Sequence, residues 1–154
     1  MLLSKLIKKN AILMDMKAST KDEALRELVD LLCSAHKLKD RETILGAIIK
    51  REQQKSTGVG MGLAVPHAKT PVVSKLHVAF GRSVRGIDFE SEDGEKATIF
   101  FILVSPRDVS GPHIKALAGI SRLIKHEDFR KSVIECADEK EYIELVKKAE
   151  ERYL

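Results

Sequence analysis

The chain has no tryptophan and only two cysteines among its 154 residues. Cys33 and Cys136 lie far apart, with no second cysteine at metal or redox spacing, so they read as two reduced, partly buried thiols in a reducing compartment. No apolar run approaches the roughly 20 residues that cross a bilayer. The N-terminus scatters lysines among short apolar runs and lacks a cleavage site, which excludes a signal peptide and direct membrane insertion and points to the cytoplasm. Blocks of like charge and low-complexity tracts are missing too. Lys plus Arg exceed Asp plus Glu by only 27 to 23, a formal charge of +4. A nucleic-acid binder clusters its cations on one element with aromatics between them, whereas lysines and acids alternate along most of this chain. No nucleic-acid partner is expected.

What is present fits one domain, with 44% apolar and 32% charged residues. Thr20 to Glu23 spells a capping box, and Ala24, Leu25, Leu28, Leu31, Leu32 and Ala35 follow at helical spacing, so 21–36 is an amphipathic helix. Asp40 reads as a second N-cap, for a helix that runs to about Gln53. The stretch KSTGVGMGLAVPHAKTP reads as irregular backbone with a short strand at 63–65. HVAFGR (77–82) and ATIFFILV (97–104) are strands, the second continuous enough in apolar character to be central and covered on both faces. The polar, glycine-containing 85–96 connects them. Ser110-Gly111-Pro112 opens a helix with Ile114, Leu117, Ala118, Ser121 and Leu123 or Ile124 on its buried side, and two more helices fit 128–136 and 140–152. The pattern predicts an α/β sandwich with helices on both faces of a small mixed sheet.

Gly58, Gly60 and Gly62 invite a phosphate-loop reading, which fails. A Walker loop closes on Gly-Lys-Ser/Thr after a strand, and a dinucleotide fingerprint needs glycine at 63; here a helix precedes and Leu63 follows. What remains is backbone that adopts positive φ and offers N–H groups to an anion. The stretch ends in Val65-Pro66-His67. Proline stiffens the stem that carries His67, and a neutral imidazole attacks phosphorus without a separate base. From spacing alone a turn histidine with no chemistry remains open. The histidines lie at long irregular intervals without a metal-site pattern, and His36, His77 and His126 read as solvated or structural.

The run REQQKSTGVGMGLAVPHAK resembles the active-site segment of enzyme IIA domains of the fructose–mannitol type in bacterial phosphotransferase systems. Arg51, Glu52, Ser56, Thr57, Gly58, Gly60, Gly62, Ala64, Pro66 and His67 all sit at that pattern's positions. A short strand near 11–14 is similar to the family's opening, and HIKALAGISRLI to its second histidine motif; the resemblance covers nearly all of 1–154. It implies His67 as phosphoryl acceptor, His113 as the second histidine and Arg51 as charge-neutralising cation, with Ser56, Thr57 and Gly58 holding phosphoryl oxygens. No metal or other cofactor is implied. The implied partners are an HPr-like phosphohistidine donor and either an enzyme IIB or a regulatory target. Without a fused enzyme IIB, membrane domain or DNA-binding region in the sequence, the nitrogen-regulatory subgroup is favoured over a sugar carrier. A non-catalytic module that controls a transporter or kinase by contact is the reading from another class.

Overall fold

The reciprocal cap written in Thr20 and Glu23 is formed in the computed structural model, which describes residues 3–154. Glu23 N–H donates to Thr20 Oγ1 while Glu23 Oε1 accepts from Thr20 N–H. The helix it starts is one of a series. A short helix α1 (Leu3–Leu6) and a 3-10 turn (Lys9–Ala11) precede β1 (Ile12–Leu13), followed by α2 (Lys21–His36) and α3 (Arg41–Gln54). Three short strands come next, β2 (Gly58–Gly60), β3 (Leu63–Ala64) and β4 (His67–Lys69). Two long ones follow, β5 (His77–Ile87) and β6 (Ala97–Ser105), and the chain closes with α4 (Gly111–Ile124), α5 (Glu127–Glu135) and α6 (Glu139–Tyr153).

The sheet is mixed, with order β1-β5-β6-β3-β2 and β4 also on β6. β5 and β6 are antiparallel; β1 runs parallel to β5, and β3 and β4 both run parallel to β6. β3 and β4 occupy the same edge of β6 in succession, opposite 99–100 and 103–105. Pro66 interrupts them because it has no N–H to give the ladder, though its carbonyl still accepts from Leu103 N–H at 3.1 Å. Helices cover both faces. Phe80 stacks on Tyr142 of α6, ring centroids 4.0 Å apart, whereas a Cβ on its neighbour Gly81 would come within 2.9 Å of Leu28 on α2. Adjacent strand residues face opposite sides, so α2 and α6 lie on opposite faces, and Gly81 is small because α2 approaches closely there.

Four local expectations change. Asp40 stands at the start of α3 but in left-handed backbone, φ 59°, with no side-chain cap bond. The glycine-rich stretch is not merely irregular: β2 pairs with β3 as a local hairpin, and β3 and β4 both pair with β6, remote in sequence. β5 continues to Ile87, through residues that read as connection, because β6 supplies Ala97 opposite Ile87 across a bulge. α4 is rotated by about one residue, or 100°. It buries His113, Ala116, Ile120, Leu123 and Ile124, while Ile114 is 62% exposed, Leu117 is half-buried, and Ala118 and Ser121 face solvent. The apolar stripe is wide enough for either phase, and packing against α1, α5 and α6 selects one.

Candidate functional site

The β2–β3 hairpin turns on left-handed backbone at Met61 (φ 57°) and Gly62 (φ 78°), and Asp93 holds it by accepting from Met61 N–H at 3.0 Å. The chain then runs along β6, past Pro66, and delivers His67 as the first residue of β4. His67 is half-buried. Its Nδ1 lies 2.7 Å from the Val65 carbonyl oxygen. A carbonyl only accepts, so Nδ1 carries the hydrogen and Nε2 keeps its lone pair. Proline thus does more than stiffen a stem: it turns His67 so that its ring folds back on the backbone two residues earlier.

His113 sits in the first turn of α4, and its ring centroid is 5.5 Å from that of His67 in an edge-on arrangement. It is buried, with Nδ1 2.7 Å from Ser105 Oγ at the end of β6. Ser105 is itself fixed because β4 pairs Lys69 with it and Thr70 N–H donates to its carbonyl at 2.9 Å. Two histidines 46 residues apart in sequence therefore meet across the β4–β6 edge. Burial pushes the His67 pKa below its ordinary value, and nearby Arg51 adds to the drop against the Val65 hydrogen bond and the Glu52 carboxylate. Burial, then the charges of His67 and Lys69, bring His113 down to about 4. Both rings are neutral at pH 7.

Arg51, in the last turn of α3, uses one guanidinium N–H on the Lys55 carbonyl at 2.9 Å and keeps the rest of its five donors. It lines two adjoining cavities with His67, one of about 750 Å³ that also contains His113 and one of about 280 Å³ that reaches Ser56 and Thr57. His67, His113, Arg51, Ser56 and Thr57 are thus brought together; Gly58 lies behind them in β2 without lining either cavity.

The donors of 56–58 are engaged within the protein. Ser56 Oγ donates to Phe89 O at 2.7 Å and accepts from Gly58 N–H at 3.1 Å. Thr57 gives its N–H and its hydroxyl to the two oxygens of Glu52, at 2.7 and 2.5 Å. These residues shape the turn between Arg51 and His67, which line the same cavities. Glu52 is buried, and Lys21 reaches it from α2 at 3.0 Å. Sequence reasoning placed Glu52 in the motif without a role and did not read Lys21 or the contact of Ser105 with His113. A carboxylate five residues before Thr57 was a readable signal for the first; nothing local marks the other two. The remaining histidines lie elsewhere. His36 Nε2 is 3.0 Å from Val78 O with its ring 4.7 Å from that of His77, and His126 stacks on Tyr153. No cluster of three or more metal-ligating side chains occurs among the described residues.

Two neutral imidazoles side by side, a free Nε2 and an arginine with spare donors make an arrangement on an α/β fold that is chemically able to exchange a phosphoryl group. The family model described as "Phosphoenolpyruvate-dependent sugar phosphotransferase system, EIIA 2" matches residues 5–149, and the chain belongs to that family. It is similar to the fructose-specific EIIA component of Haloferax volcanii, 40% identical over 83% of this chain and 82% of that one. The nitrogen regulatory protein of Bradyrhizobium diazoefficiens is 36% identical over 83% of each. The fructose-specific EIIABC component of Bacillus subtilis is 37% identical over 95% of this chain, but the chain spans only 23% of its length. Among solved structures, the nitrogen regulatory protein IIA-Ntr of Neisseria meningitidis superposes with a TM-score of 0.87, covering 94% of this chain and 98% of that one at 24% identity. The fold is theirs. No helix among the described residues is long and apolar enough to cross a membrane.

Proposed function

We propose that His67 Nε2 accepts a phosphoryl group from a phosphohistidine donor protein of the HPr kind and passes it on, the single supporting observation being the Nδ1 contact to Val65 O at 2.7 Å. The P–N bond of the donor breaks as the bond from phosphorus to His67 Nε2 forms. The ring gains positive character as it does so, and the Val65 carbonyl on Nδ1–H stabilises it. Arg51 offers a paired N–H face to the phosphoryl oxygens, a planar arrangement that an ammonium cannot reproduce. With Ser105 Oγ donating to Nδ1 of His113, the Nε2–H of that ring is left to donate to the same group. Neither step needs a metal or nucleotide, because the donor already carries an activated phosphoryl group; the protein positions it and stabilises charge. Such an exchange places the chain in the cytoplasm.

The output is regulatory in this reading. The support is the nitrogen regulatory protein of Bradyrhizobium diazoefficiens, matched over 83% of both chains. The fructose-specific relative at 40% identity favours a second reading, a sugar carrier that hands its phosphoryl group to an enzyme IIB. The test is labelling with phosphoenolpyruvate, enzyme I and donor protein, followed by mapping of the acid-labile phosphate. Label is expected on His67 Nε2 and absent from His67→Ala; label retained in that variant refutes the acceptor. A chain that takes no label in any donor system is the contact-only module instead. Onward transfer to a fructose-type enzyme IIB decides for the carrier over the regulator.

A further inference from the structure

Two histidines that the transfer leaves unused, His36 and His77, meet on the other face of the sheet. His67 pairs with Leu103 on β6, and Leu103 pairs with Val78 on β5, so these three share a face. His77 precedes Val78 and faces the opposite side. Three segments converge there. The ring of His36, at the end of α2, lies 4.7 Å from that of His77, and its Nε2 is 3.0 Å from Val78 O. β1 runs parallel to β5 with Ile12 opposite Phe80, which sets the turn before β1, with Lys8 at its head, alongside the start of β5. Asn10 ties that turn to α2 by donating from Nδ2 to Ala35 O at 3.3 Å.

Charge at this corner has one sign. No Asp or Glu occurs in 1–14, 31–39 or 53–87, the segments that meet here. Lys8 and Lys75 are exposed. Among the described residues the lysines in ion pairs are Lys21, Lys55 and Lys131, so Lys8 and Lys75 have no partner. Burial, then the charges of His36, Lys75 and Lys8, bring the His77 pKa to about 4, so both ammonium groups stand close to that ring. His77 is only 7% exposed, yet its ring nitrogens make no hydrogen bond among the described residues. Buried polar groups are normally paired. Tyr142 Oη is the one fully enclosed side-chain polar atom without a partner among the described residues, so the His77 nitrogens keep an opening to the surface. A ring N–H left open between two unpaired cations lacks an acceptor.

We propose that Lys8, Lys75 and His77, the last backed by His36, form a second anion site that takes a phosphate monoester. Every group they offer is a donor: three N–H on each ammonium and a ring N–H on His77. A tetrahedral dianion has oxygens enough for both lysines and the imidazole at once, and it balances both charges. A carboxylate brings one charge and two oxygens. His36, fixed by Val78, holds the His77 ring in place. The phosphate can belong to a dissolved ester or to a lipid headgroup. The site is independent of His67 as acceptor and lies on the other face of the sheet from it.

The test follows the ring signals of each histidine by NMR as glycerol phosphate is added to the intact chain. Sodium acetate and sodium chloride at equal ionic strength are the controls. Saturable shifts of His77 and His36 are expected with glycerol phosphate and with neither control. Lys8→Met and Lys75→Met, both at exposed positions, should each weaken binding about fivefold or more, with melting curves to show that they fold. Arg51→Ala should leave the His77 shift unchanged. Sedimentation with phosphatidylcholine vesicles that contain phosphatidic acid separates the sources. Co-sedimentation lost in the lysine variants assigns the phosphate to a lipid, and glycerol phosphate binding without it assigns a dissolved ester; either supports the site. The absence of both a saturable shift and any co-sedimentation beyond that with phosphatidylcholine alone overturns the proposal. Shifts that persist in both lysine variants, or that acetate or chloride match, overturn it too. A His77 shift lost in Arg51→Ala puts the anion at His67 and has the same effect. Tighter binding of a single-stranded oligonucleotide than of either phosphate probe, lost in the lysine variants, reassigns the corner to nucleic acid and overturns it as well.

Discussion

Glu52→Gln is the substitution that most directly tests how the turn beside His67 is held. The carboxylate is buried, its side chain 4% exposed, and it binds Lys21 while accepting both Thr57 donors. Glutamine keeps the shape but removes the charge and puts an NH₂ where one oxygen accepted. Hydrogen bonds to a charged group contribute about 1.5–3 kcal/mol, and breaking a buried ion pair costs about 3–5 kcal/mol. Two features soften the loss: Lys21 is partly exposed and retains Glu90 at 3.1 Å, and the Thr57 hydroxyl can turn to accept from the new amide. A net destabilisation of about 2–3 kcal/mol follows, and for a chain of this size each kcal/mol moves Tm by about 2–4 °C. The expected fall is about 5–10 °C, read by thermal and urea unfolding. Lys21→Met should cost less, about 1 kcal/mol, and the double variant should fall short of the sum, because each change already removes the same pair. Labelling of His67 should slow as well, since the turn presents Arg51. An unchanged Tm for Glu52→Gln, or full additivity with Lys21→Met, would refute the account of a charged anchor beneath the site.

Two further outcomes follow from the histidines. His113→Gln retains an N–H donor and should label faster than His113→Ala, with both slower than wild type and neither abolishing label; equal rates for all three in time-resolved labelling would make His113 a structural residue of α4. Stability should fall as pH drops from about 6.5 to 4, because His77 and His113 both have pKa values near 4 when folded and the unfolded chain, with ordinary values, binds protons first. For His77 the causes are burial, then the charges of His36, Lys75 and Lys8. Between pH 7 and 4.5 each ring contributes about 2 kcal/mol of loss at roughly 1.4 kcal/mol per pKa unit. Urea midpoints at the two pH values measure it, and a His77→Gln variant with the wild-type slope would show that His77 contributes nothing.

The sequence by itself determined those features whose cause is local. The cap on α2 needs only Thr20 and Glu23, three residues apart, and the continuous apolar run of β6 needs only to be buried. The resemblance of the segment around Pro66 and of the second histidine motif to enzyme IIA domains likewise marked His67, His113 and Arg51 as candidates without any tertiary information. What tertiary structure decided are the features whose partners are remote. β4 exists because residues 103–105 lie beside it, and the last part of β5 because Ala97 returns to Ile87. Strand pairing depends on what lies alongside, which a window on one segment does not contain. The phase of α4 was open because its apolar stripe is too broad to specify one face, and that choice put Ile114 outside and His113 inside. Lys21 came to Glu52, and Ser105 to His113, only through packing of α2 and pairing of β4 with β6. The tautomer of His67 was set last, by a carbonyl two residues back that reaches its ring only because Pro66 bends the chain between two short strands.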